Sequence, residues 1–125
     1  MKRLFAPGSL FCRLVFIGSL LLITVLSLMP MPDGQTLFPH QDKVSHGVTY
    51  VYLFVVGWWA WFLARFQWHL ALLLLADGIA IELLQGVGGY RSMEWLDLLA
   101  NIAGIGIGWL LVITIKARIP HPKPE

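Results

Sequence analysis

Residues 68 to 86 read WHLALLLLADGIAIELLQG, an apolar run from Trp68 to Gly86 in which Asp77, Glu82 and Gln85 stand out. A helix gains about 1.5 Å per residue, so roughly 20 apolar residues cover the ~30 Å hydrocarbon core of a bilayer. The run is long enough to cross a membrane, yet its carboxyls make it a poor helix to insert alone. On an insertion scale each Leu or Ile gains about 0.3 to 0.6 kcal/mol, whereas a central Asp costs about 2.5 to 3.5 kcal/mol. The balance is near zero. Such a helix needs neighbours to shelter Asp77 and Glu82, or must hold them protonated, as desolvation favours.

Neighbours are present. Three further apolar stretches run from Leu10 to Met29, Val44 to Ala64 and Trp95 to Ile115, each again about 20 residues. The whole chain of 125 residues is 58% hydrophobic, with 9 Lys and Arg and 7 Asp and Glu. Its mean hydropathy is +0.73. That leaves too little polar surface for a water-soluble globule of this size. The expected fold is an all-α membrane protein, a four-transmembrane-helix bundle forming one domain over residues 1 to 125, with helices at about 10–29, 44–64, 68–86 and 95–115. The tail with Pro120, Pro122 and Pro124 cannot continue the last helix.

The first stretch follows Lys2 and Arg3, as a signal peptide would. However, it is too long for a typical signal core and ends in Met29-Pro30-Met31-Pro32 without a small-residue cleavage pattern, so it reads as a retained helix. The single Cys12 is out of place for lipid attachment and cannot form an internal disulfide; it reads as a buried small hydrophobe.

Basic residues set the expected orientation. Lys2, Arg3, Arg13, Arg65, Lys116, Arg118 and Lys123 fall on one side of the four helices, and only Lys43 and Arg91 on the other. By the positive-inside bias both termini are expected in the cytoplasm, and the protein is expected to pass the membrane several times. The net charge of +2 serves this topology and anionic lipid headgroups, and no nucleic-acid partner is implied. Trp58, Trp59, Trp61 and Trp68 around Arg65 read as a cytoplasmic interfacial belt, with Tyr90 and Trp95 at the outer boundary.

On this topology the polar residues gather at the outer end. In the second helix Asp42, His46 and Tyr50 recur every four residues and share one face; in the fourth, Asp97, Asn101, Gly104 and Gly108 do the same. Asp42, Lys43, Arg91 and Glu94 form the outermost layer, His46, Gln85 and Asp97 the next, and Tyr50, Glu82 and Asn101 the deepest. Glu82 lies about 9 Å below Gly88 and Asp77 about 16 Å, near the midplane. Asp77 is expected to face the bundle as a neutral or hydrogen-bonded group. Matched depths on three helices point to one outward-opening polar pocket.

The run Asp42-Lys43-x-x-His46-x-x-x-Tyr50, then Glu82-x-x-Gln85, then Arg91 followed by Asp97-x-x-x-Asn101-x-x-Gly104, resembles the VanZ-like family of small bacterial membrane proteins, which includes a teicoplanin-resistance protein. The resemblance covers about residues 40 to 110 and leaves out the first helix. Two departures stand out: Gly88-Gly89-Tyr90 replaces a common Pro-Gly turn, and Asp77 replaces an uncharged residue. The resemblance implies an envelope location and, for one branch, a link to glycopeptide resistance, but no settled chemistry.

Three functional readings follow from the residues. In the first, the groups simply pack: Lys43 and Arg91 neutralise Asp42, Glu94 or Asp97, Asn101 and Tyr50 bond across helices, and Gly104 and Gly108 let a neighbour approach closely. In the second they form a ligand site in which Asp42, Lys43, His46, Tyr50, Glu82, Gln85, Arg91, Asp97 and Asn101 receive the polar head of an envelope lipid or glycopeptide-type amphiphile. A third reading is an intramembrane enzyme using His46 with Glu82 or Asp97, either as general base and orienter or as metal ligands. The enzyme reading has the weakest support, since no nucleophile elbow, phosphate loop or paired-His metal motif occurs. No metal or cofactor is expected. His40, His69 and His121 read as solvated residues of loops or tail.

Overall fold

The computed structural model describes residues 1–30, 37–62, 66–89 and 94–119. These form four helices, α1 Leu10–Leu28, α2 Gln41–Trp61, α3 Phe66–Gly88 and α4 Trp95–Arg118, and no strand occurs among the described residues. Three of them, over Leu10–Leu28, Gln67–Gly88 and Trp95–Arg118, are long and apolar enough to cross a membrane, as expected of a membrane protein.

α2 falls short of that standard, and its position supplies the physical reason. It contacts all three other helices, most extensively α4, whereas the backbones of α1 and α4 stay apart. An interior helix can carry Asp42, Lys43, Ser45, His46 and Thr49 because its neighbours, rather than lipid, surround much of it. Its buried stripe, Tyr50, Leu53, Phe54, Gly57, Trp58 and Ala60, meets Phe16 of α1, Leu70 and Leu74 of α3, and Ile105 and Val112 of α4 in one apolar core.

Helix ends differ from the sequence expectation for local reasons. α2 begins three residues before Val44, with Asp42 in its first turn where the helix dipole favours an acid. It stops at Trp61 because Phe62 turns into the left-handed region at φ 42°, its N–H bonding the Trp58 carbonyl. α4 runs beyond Ile115 to Arg118, with Lys116 and Arg118 completing a last turn that favours cations. Ser9 caps α1 by accepting the Cys12 N–H at 3.3 Å. The prolines of the tail lie outside the described residues.

α2 and α4 approach at backbone distance. A Cβ on Gly104 would collide with the Gly47 carbonyl, and one on Gly108 would sit 2.8 Å from Phe54 Cβ. This is the close packing anticipated for Gly104 and Gly108, and it suits a medium in which apolar side chains gain little by leaving lipid for a neighbour. The remaining helix faces carry exposed Leu14, Leu21, Leu22, Leu72 and Leu110. An apolar exterior of this extent fits hydrocarbon surroundings and not water.

Two expectations are corrected here. Trp58 is 1% exposed and belongs to the core, edge-on to Trp59 and tilted against Phe62, so it is no interfacial anchor. His69 lies in the first turns of α3, though it is exposed as anticipated. Cys12 is buried, in keeping with its reading as a small hydrophobe.

Candidate functional site

The polar residues of α2, α3 and α4 do converge at one end of the bundle. Lys43 stands at its centre of charge. The side chain of Lys43 donates to Glu94 Oε2 at 2.8 Å and to Asp42 Oδ2 at 3.1 Å, and its ammonium lies 3.4 Å from Asp97 Oδ1. Asp42 and Lys43 precede the apolar part of α2 that starts at Val44. Hydrogen bonds to Glu94 and Asp42 hold the Lys43 ammonium above its ordinary range. Partial burial raises the Asp42 carboxyl, but its bonds with Lys43 outweigh that and leave it below the usual value.

One turn deeper, His46 Nδ1 donates to Asn101 Oδ1 at 2.9 Å, and His46 Nε2 faces Asp97 Oδ2 at 3.9 Å. Single ligand atoms of His46, Glu82 and Asp97 all lie within 4.8 Å of one another, as do those of Asp42, Glu94 and Asp97. Glu82 accepts the backbone N–H of Glu94 at 3.3 Å, tying α3 to the start of α4. Glu82, Asp97 and Asn101 are 3%, 4% and 0% exposed, a cost that interior polar groups recover only when well partnered.

A second polar contact lies deeper and apart. Asp77 accepts from Tyr50 Oη and from Thr24 Oγ1, each at 3.0 Å, so α1, α2 and α3 meet on one carboxyl. Asp77 thus faces the bundle and is hydrogen-bonded, as anticipated. Gly78 makes room beside it, since a Cβ there would stand 2.8 Å from Asn101 Nδ2 and 3.2 Å from Tyr50 Oη.

The structure therefore gathers Asp42, Lys43, His46, Glu82, Asp97 and Asn101 from the anticipated set and adds Glu94. It separates two members. Gln85 turns to α1 and donates to the Ser27 carbonyl at 2.7 Å, because the rotation of α3 aims it away from His46. Tyr50 pairs with Asp77, one turn below the cluster. Glu82 also shifts layer, sitting with His46 and Asp97 where the depth count placed it lower. Arg91 lies outside the described residues. Thr24 was missed because one hydroxyl inside the apolar run of α1 looks like any helix-compatible residue; its spacing to Ser27, one turn away, is the only available signal.

No family model, curated protein or solved structure matches the chain.

Proposed function

We propose that this chain is a multi-pass protein of the bacterial plasma membrane whose four helices all cross the bilayer, with both termini in the cytoplasm and the His46 cluster at the outer leaflet. There it binds the anionic head of an envelope amphiphile. The single observation that carries the reading is the convergence of Lys43, His46, Glu82, Asp97 and Asn101 from three helices at one end of the bundle. The basic residues of the opposite end support the orientation.

Chemically, Lys43 offers a phosphate or carboxylate a charge-assisted bond in exchange for the carboxylates it now holds, and Arg91 offers a fork of donors. The tail of the amphiphile then lies along the apolar faces. The VanZ-like resemblance of residues 40 to 110 adds a lipoglycopeptide of the teicoplanin type, or the lipid-linked wall precursor such drugs engage, as the kind of molecule concerned.

A photoreactive anionic lipid in nanodiscs tests this. Capture is expected to depend on Lys43 and Arg91, falling at least tenfold in Lys43→Ala and Arg91→Ala while a zwitterionic analogue is captured little by any form. Equal labelling of parent and variants sinks the reading. The internal pairing of Lys43 with three carboxylates favours a second reading, a packing network without a ligand, and that is the outcome equal labelling would establish.

A further inference from the structure

Lys43 is shared among three carboxylates, those of Asp42, Glu94 and Asp97. Asp97 is the most deeply placed of the three. It is 4% exposed, and its Oδ1 receives no hydrogen bond among the described residues; the Lys43 ammonium lies 3.4 Å from Oδ1 and the ring of His46 3.9 Å from Oδ2. A carboxylate so buried is costly unless a cation or a strong donor reaches it.

The ring of His46 is arranged to help a cation do so. Because Asn101 Oδ1 can only accept, His46 Nδ1 donates in the 2.9 Å contact, and in the neutral ring Nε2 then carries the lone pair, 3.9 Å from Asp97 Oδ2. In that form the two groups turn lone pairs toward one position. The separation of 3.9 Å is too long for a hydrogen bond, yet it is close to the spacing of two ligands on one ion. Bonds of about 2.0 to 2.2 Å to nitrogen and oxygen put tetrahedral ligand atoms about 3.3 to 3.6 Å apart. Metal-bound histidines characteristically donate their other ring N–H to a carbonyl or carboxylate, as His46 does to Asn101.

We infer that His46 Nε2, Asp97 Oδ2 and a carboxylate oxygen of Glu82 bind a divalent transition cation of the zinc class, with Asn101 fixing the imidazole. One imidazole and two carboxylates suit Zn²⁺ or Mn²⁺ better than a thiolate-seeking ion. Glu82 comes from α3, Asp97 from α4 and His46 from α2, so the ion would join three helices. Its fourth position stays open to water or, in a step that rests on the amphiphile-binding reading above, to a phosphate or carboxylate oxygen of the ligand head. No paired-ligand motif marks this set, because each helix supplies only one ligand; the sequence offers only the neighbouring depths of His46, Glu82 and Asp97.

Lys43 competes with the ion for Asp97, which gives the inference a distinctive sign. Protein stripped with chelator and kept in detergent is titrated with Zn²⁺ by calorimetry, and with Co²⁺ followed by its visible absorption. The expected result is one bound ion per chain, loss of the Co²⁺ spectrum in His46→Ala and Asp97→Asn, and about ten- to hundredfold weaker binding in Asn101→Ala. Lys43→Met should bind Zn²⁺ more tightly than the parent. Helical circular dichroism without metal identifies variants that remain folded, and Lys43→Met keeps the test open if the others do not. No stoichiometric ion in the parent, equal binding by folded His46→Ala, or weaker binding by Lys43→Met would overturn the inference. Photolipid capture reports separately: capture that survives chelator and His46→Ala removes the ion but keeps the amphiphile site, whereas Zn²⁺ binding without capture does the reverse.

Discussion

The two ends of the bundle are built on different physics. At the His46 end, buried charges and amides from three helices meet within a few ångströms, while at the Trp58 end aromatic rings and aliphatic side chains fill the space between α1, α2 and α3. There Phe16 meets Trp61 edge to face at 5.5 Å, Trp58 contacts Phe62 at 5.1 Å, and Gly57 lets Leu70 and Phe16 approach α2. The amino-terminal segment closes over this end: Gly8 donates to the Trp59 carbonyl and Trp59 Nε1 to the Phe5 carbonyl, at 2.9 and 3.1 Å. An apolar cavity of about 460 Å³ opens at this end, lined by Phe11 and Cys12 of α1, Val55 and Trp58 of α2, and Ile115 of α4.

In lipid the contrast has a consequence that water would hide. Apolar side chains gain little by leaving hydrocarbon for one another, so the Trp58 end is held by close contact and shape. Truncating Trp58 to Ala at a site 1% exposed should therefore carry the largest cost, about 3 kcal/mol or somewhat more, mostly from the cavity left behind. Reversible unfolding in mixed micelles measures it. A loss no greater than that of a surface Leu72→Ala control would break the contrast, because the aromatic end would then contribute no more than its exposed faces.

At the polar end the expected effect is smaller and depends on which partner is removed. Lys43→Ala leaves Asp97 buried without its nearest cation and should lower stability clearly more than loss of Glu94 does. Removing Glu94 leaves Lys43 its other two carboxylates, so Glu94→Gln should cost well under 1 kcal/mol, as half-exposed pairs generally do. The ratio of the two variants sharpens the comparison: equal effects would mean that Asp97 is satisfied by some other group.

How much of this could be read from the chain follows from the same contrast. Four helices were legible because each apolar run has the length of a bilayer core, and the polar cluster because depth along a helix is fixed by counting residues from its end. Rotation about the helix axis is not fixed that way. Gln85 shares a depth with His46, yet α3 turns it to the Ser27 carbonyl of α1. Trp58 likewise sits where an interfacial belt is expected, but α2 is enclosed by its neighbours, and enclosure is a property of packing that one helix's composition does not reveal. Asp77 was flagged by its cost alone. Its partners, Tyr50 and Thr24, come from helices whose relative rotation had to be seen.

The Asp77 contact lies between the two ends, and it sets the scale for a single hydrogen bond inside the bundle. Interhelical side-chain bonds in membrane proteins average about 0.6 kcal/mol, with a maximum near about 1.7 kcal/mol, because the separated helices also find partners. Tyr50→Phe removes one of the two donors to Asp77 and keeps the ring, 2% exposed, in place. It should cost about 0.6 kcal/mol. Thr24→Val should cost less than that, since Thr24 Oγ1 divides its bonding between Asp77 and the Leu20 carbonyl of its own helix. The double variant is the informative measurement. With both donors gone the half-buried Asp77 has lost its two bonded partners from α1 and α2, so the combined loss should exceed the sum of the single losses. Strict additivity would mean that Tyr50 and Thr24 act on Asp77 independently, and that the three helices are not coupled through its carboxyl.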